Sequence, residues 1–276
     1  MKHQKNISET AYLTATCRSK KTAISRDVYA RFFIDKEAEV LRKKYLKKVS
    51  PKEDLLQALR NNFFLKKLKL FFKGHPEGIF VNIGAGFSTY PFLLSDKFKY
   101  IEVDTPGLID EKKKKTKELT DNNLLPARNI KFYSADLNVD NDLNELKKYL
   151  SKELKNKKSF ILIEGLIYYL REDKAIRLLE IVKQIQSKNS VLGILALSEK
   201  FIKNPIYKRF KNFVEKNTDD NRFEFTFFKP KVFELLRGYA CLIKTDYSKL
   251  SNINDINKIK SDEDIFWEDF YILKKK

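Results

Sequence analysis

Val81-Asn82-Ile83-Gly84-Ala85-Gly86-Phe87-Ser88-Thr89 is an apolar run that ends in two glycines one residue apart. It reads as a strand passing through a tight turn into a helix. Glycine supplies the backbone freedom that such a turn needs and lets a ligand approach the main chain closely. Twenty residues beyond Gly84, Asp104 ends a second apolar run, at the spacing where a carboxylate accepts hydrogen bonds from both hydroxyls of a ribose. Thr89 stands where the dinucleotide fingerprint has its third glycine. A purely structural turn is the alternative.

Outward from this turn the pattern is regular. Strands are expected at Ile79 to Ile83, Tyr100 to Val103, Ile130 to Tyr133, Phe160 to Ile163 and Val191 to Leu197. Helical faces fall between them, at Leu143, Leu146, Leu150 and Leu154 and at Ala175, Leu178, Leu179, Val182 and Ile185. Ala240 to Tyr247 and Phe266 to Leu273 read as two closing strands joined by an Asn/Asp-rich hairpin. The sum is an α/β fold, a Rossmann-like, doubly wound sheet of seven strands, in which ligands sit beyond the strand carboxyl ends.

The first 76 residues read as helices. The clearest spans Pro51 to Lys73, with Ser50 as N-cap, Pro51 in the first turn and Glu53 closing a capping box. Its apolar stripe is Leu56, Leu59, Phe63 and Leu70, flanked by Phe64, Leu68 and Phe71, and Gly74 and Pro76 stop it. The expected division is a helical lid over residues 1–77 and a Rossmann-like domain over 78–276, with 199–228 inserted on the substrate side. That insertion carries Phe201, Tyr207, Phe210, Phe213, Phe223, Phe225, Phe227 and Phe228, either as the core of a helical cap or as a pocket wall.

Composition removes other classes. The chain has 276 residues, 42% hydrophobic and 34% charged, enough apolar mass for one sizeable core. Cys17 and Cys241 have no CxxC or Cys/His company, so neither a disulfide scaffold nor a structural zinc site is expected. The longest apolar run, Phe160 to Leu170, is broken by Glu164 and is far below the roughly 20 residues of a membrane span. With no secretory h-region at the start, the cytoplasm is the expected location and no membrane partner is expected. The net charge of +19 comes from lysines scattered along the whole chain, which reads as solvated helix faces, with an anionic partner such as nucleic acid as the alternative.

The remaining candidates are read by chemistry. A nucleoside ligand without a pyrophosphate has less need of the third glycine, and S-adenosylmethionine (SAM) is the common one. No metal is required. Asp136, after the third strand, suits the adenine amine or a helix cap. Glu164 interrupts a buried run and needs a cation, either the methionyl ammonium or sulfonium or an internal lysine. Arg60, on the helix leading to the first strand, offers a guanidinium fork to the ligand's carboxylate, or is simply solvated.

VNIGAG at Val81 to Gly86, IEVDTP at Ile101 to Pro106 with Lys112, SADL at Ser134 to Leu137 and IEGLIYYL at Ile163 to Leu170 resemble the motifs of the leucine carboxyl methyltransferase family. Upstream, Thr10-Ala11, Arg18 and Asp27-Val28-Tyr29-Ala30 are similar to its N-terminal signature. The resemblance covers roughly residues 9 to 200. It implies a class I SAM-dependent methyltransferase, close to the bacterial polyketide-type O-methyltransferases, with a helical N-terminal lid. It places Arg60 and Arg18 on the cofactor carboxylate, Gly84, Ala85 and Gly86 around the methionyl part, Asp104 on the ribose, Asp136 and Leu137 at the adenine, and Glu164 at the amino group. Tyr169 falls where the family has a tyrosine near the reacting methyl. Val28 replaces a usual proline, and Ser88 and Tyr90 replace the aspartate and arginine common after the glycine turn.

Methyl transfer from a sulfonium is an in-line displacement in which positioning carries most of the catalysis. The only histidines are His3, near the terminus, and His75, expected on the far side of the sheet from the strand ends. A histidine base is therefore not expected, which favours a carboxylate or readily ionised hydroxyl as acceptor; a tyrosine, lysine or acid acting as base stays open. A small-molecule acceptor leads. A protein C-terminus or a tRNA base follows, and a non-catalytic basic module that binds nucleic acid is the third reading.

Overall fold

Five apolar segments form parallel strands: β1 (Ile79–Ile83), β2 (Lys99–Asp104), β3 (Ile130–Ser134), β4 (Ser159–Ile163) and β5 (Val191–Leu197). In the computed structural model, which describes residues 8–217, 234, 236–254 and 265–276, two further strands complete the sheet. They are β6 (Tyr239–Asp246) and β7 (Glu268–Lys275), and the spatial order is β3-β2-β1-β4-β5-β7-β6. Only β7 runs against its neighbours, pairing antiparallel with both β5 and β6.

The doubly wound arrangement follows from burial on both faces. Every residue of β1 and β4 is buried, as a central strand covered on two sides requires. Ile79, Val81 and Ile83 pack with α7 (Asp140–Glu153) and α8 (Glu172–Ile185), whose inward residues include Leu143, Leu146, Leu150, Leu178 and Val182. Phe80 faces the other way, against Tyr90, Tyr100 and Phe160. That second face is covered by the N-terminal helices α1 (Ser8–Lys20), α2 (Thr22–Ser25), α3 (Lys36–Lys48) and α4 (Glu53–Gly74).

Helix α4 leads directly into β1, so its Glu53 end lies at the carboxyl ends of the parallel strands. The expected capping box does not form. Helix α4 starts at Glu53 with Lys52 as its cap residue and no side-chain cap bond, while Ser50 sits in the preceding turn, where its carbonyl accepts from Glu53 N. Tertiary packing explains the difference: Glu53 is 5% exposed and turned into the molecule. Leu70, expected in the apolar stripe, is 66% exposed, whereas Leu68, Phe71 and Phe72 are buried.

Further α-helices among the described residues are α5 (Tyr90–Leu93), α6 (Pro106–Asp121), α9 (Pro205–Asn217) and α10 (Tyr247–Ile253). Tyr247 opens a helix instead of ending a strand, because Asp246 caps it by accepting from Lys249 N. In the expected insertion, Phe201, Phe210 and Phe213 are buried, and Phe201 and Phe210 pack on Phe266. Phe223, Phe225, Phe227, Phe228 and His3 lie outside the described residues. No helix among the described residues is long and apolar enough to cross a membrane.

Candidate active site

The turn after β1 is held by Val103 O, which accepts from Gly84 N at 2.9 Å and Ala85 N at 3.0 Å. Gly84 (φ +75°) and Gly86 (φ +46°) occupy the left-handed region, and a Cβ on Gly84 would come within 2.9 Å of Leu166. At the tip of β2, Asp104 closes over this turn. Its Oδ2 accepts from Gly86 N and its Oδ1 from Thr105 N, each at 2.8 Å. Burial pushes the Asp104 carboxyl up, and the Gly86 and Thr105 amides hold it back.

Two arginines reach the same place from the N-terminal helices. Arg60 of α4 pairs with Glu164, Nε to Oε1 at 2.6 Å, and the other Glu164 oxygen takes the Tyr90 hydroxyl at 2.6 Å. Burial works against the Arg60 charge, but the Glu164 and Glu268 carboxylates outweigh it and hold the guanidinium charged. The cation that Glu164 needed is thus an arginine of the protein. Arg18 of α1 is buried, donating from Nε to Asp27 and from Nη2 to the Phe87 carbonyl.

Arg18, Arg60, Gly84, Ala85, Gly86, Asp104, Glu164 and Tyr169 all line one cleft at the strand carboxyl ends. Asp136 and Leu137 do not. Asp136 Oδ1 accepts from Asn138 N in a local turn, and its own N–H goes to Asp142, while Leu137 is buried with the α7 layer. Lys112 is buried in an ion pair with Glu102 at 2.7 Å, behind Asp104.

A family model described as leucine carboxyl methyltransferase matches residues 7–183. The chain belongs to the leucine carboxyl methyltransferase family. It is a SAM-dependent methyltransferase, and its sheet order is that of the class I methyltransferases. Among solved structures it is similar to a DUF574 family protein from Streptomyces avermitilis, at 10% identity with a TM-score of 0.67, covering 97% of each chain. A putative methyltransferase from Thermobifida fusca is similar at 13% identity and a TM-score of 0.61, with 88% of this chain and 90% of that one covered. Magnesium protoporphyrin IX methyltransferase from Synechocystis, solved with bound S-adenosylhomocysteine, follows at 10% identity and 0.51, covering 93% and 99%. No curated protein matches by sequence.

In this methyltransferase the two positions after the glycine turn face the site's acid and the first strand: the Tyr90 hydroxyl donates to Glu164, and Ser88 accepts from the Asn82 amide at 2.7 Å. The cleft is also lined by residues the sequence did not single out for it, among them Thr10, Tyr45, Glu53, Gln57, Tyr168, Phe266 and Glu268. Glu53 carries the local signal of a capping box, which hides its place in the cleft. Glu268 opens β7 opposite Leu197 and takes the Tyr247 hydroxyl at 2.7 Å, and burial raises its carboxyl. An acid at the start of an amphipathic run carries no local sign that an antiparallel neighbour will bury it. Among the described residues, no group of three or more His, Cys, Asp or Glu is placed to hold a metal.

Proposed function

We propose that this chain binds SAM against the β1 turn and transfers its methyl group to a carboxylate or hydroxyl oxygen of a small molecule. The observation that carries the reading is the Arg60–Glu164 pair beside Gly84, Gly86 and Asp104. A charged arginine next to a carboxylate matches the two charges of an amino-acid moiety, and Asp104 keeps lone pairs free for a ribose after accepting two amides. In this reading Arg60 and Arg18 hold the carboxylate, Glu164 the ammonium, Asp104 the ribose, and Gly84 to Gly86 the methionyl chain. When bound, the cofactor supplies an electrophilic methyl group on a sulfonium. Tyr169 stands beside the reacting methyl, and burial holds its phenol protonated, so that it positions and does not act as a base. The helices through residue 77 act as a lid that excludes water, and the aromatic wall of Tyr45, Phe210 and Phe266 favours a small apolar acceptor.

Calorimetry with S-adenosylhomocysteine tests this. Arg60→Ala and Asp104→Ala should each weaken binding at least tenfold, about 1.4 kcal/mol. Wild-type affinity in both variants, together with steeply salt-dependent binding to RNA, would replace this reading with a basic nucleic-acid module.

A further inference from the structure

Two acceptor atoms on the α4 side of the cleft lack a donor. Glu53 Oε2 and Gln57 Oε1 are buried without a hydrogen bond, although both residues line the cleft and are only 5% and 4% exposed. They are linked: Gln57 Nε2 donates to the other Glu53 oxygen at 2.7 Å, which uses the amide as a donor and leaves its carbonyl oxygen facing no partner. The Ser50 hydroxyl lies against the carboxylate and eases its charge, but it is not aligned for a full hydrogen bond to Glu53 Oε2. The nearest cation on the same helix, Arg60, is engaged by Glu164.

A buried acceptor left unpaired is costly, so this wall is completed by a ligand that donates. A hydroxyl donates. A carboxylate only accepts, and once Glu53 is ionised, above about pH 7, it would set a second negative charge against that group. We infer that the methyl acceptor is an uncharged aromatic compound whose reacting hydroxyl donates to Glu53, with Glu53 as its base and Gln57 as the group that orients that carboxylate. The inference rests on the methyl-transfer reading above and narrows its acceptor to hydroxyls. As the acceptor oxygen bonds to the methyl carbon, the carbon–sulfur bond breaks and leaves its electron pair on sulfur. The hydroxyl proton passes to Glu53 and then to water.

The groups around Glu53 leave it this role. Cys17 of α1, Tyr45 of α3, Tyr168 and Tyr169 after β4, and Tyr247 of α10 are held protonated by burial. On its own helix Asp54 is engaged by Arg42, and across the cleft the Glu268 charge adds to the burial that pushes Glu53 up to about 7. A base near neutrality both takes and releases a proton at working pH.

Benzyl alcohol, benzoate and benzylamine share one ring and differ in charge, and their affinities can be measured by ligand-observed NMR at pH 8 with and without S-adenosylhomocysteine. The wild type should bind benzyl alcohol at least fivefold tighter than either ion. Glu53→Gln should bring benzoate to within twofold of the alcohol, and Glu53→Asp should restore the preference. Circular dichroism and S-adenosylhomocysteine affinity check that both variants are folded. Preference for benzoate or benzylamine, a ratio unmoved in Glu53→Gln, or binding of none of the three overturns the inference. Failure to bind S-adenosylhomocysteine sinks the methyl-transfer reading alone, since the three probes are also compared without it.

Discussion

Glu53 is costly to the fold where it sits. Burial, partly offset by Gln57, raises its carboxyl from 4.5 to about 7, so the folded chain holds this proton more tightly than the unfolded one between those values. The sign follows: its contribution to stability is complete below about pH 4.5 and is lost as pH rises through 7. Glu53→Gln removes the titration. In urea unfolding the variant should gain about 3 kcal/mol over the wild type at pH 8 and keep under about 1 kcal/mol of that gain at pH 5. An equal difference at both values would mean that the carboxyl is not buried. Arg60 and Asp104 are the contrasting case. Their residue types and positions signalled a place in the cleft directly, whereas Glu53 carried a local signal, the capping box, that packing overrode.

At the scale of elements, helix starts divide into those the local sequence sets and those it does not. Asp35 caps α3, its Oδ1 accepting from Ala38 N at 2.8 Å, so Asp35→Ala should cost about 1 kcal/mol. Ser50 has the right residue type but makes no such bond, and its hydroxyl is buried and unpaired. Ser50→Ala should therefore be neutral or slightly stabilising, within about 0.5 kcal/mol. A loss as large as that in Asp35→Ala would restore the capping box. The five parallel strands were legible within a residue at each end because each is a short, β-rich run between turn residues. β7 was not: expected over Phe266 to Leu273, it runs from Glu268 to Lys275, because antiparallel pairing with β5 sets its extent and its own residues do not.

Across the whole molecule, the N-terminal helices and the sheet share one core. Phe270 of β7 is fully buried, with ring centroids 5.3 Å from Phe63 and 5.7 Å from Phe64 on α4 and 5.0 Å from Tyr247 on α10. Phe270→Ala should cost about 3 to 5 kcal/mol, read as a lower urea midpoint. If the helices through residue 77 unfolded independently in that variant, two transitions would appear instead of one.

What the chain determined by itself is its parallel strands, the glycine turn and the acid twenty residues on, because these depend on periodicity and on contacts local to one βα unit. Tertiary structure alone decided that Arg60 meets Glu164 and that Glu53 and Glu268 face one cleft. Those pairings join residues far apart in the chain, and which side chains end up buried together depends on how α4 and the antiparallel β7 dock on the sheet, a fact no single segment encodes.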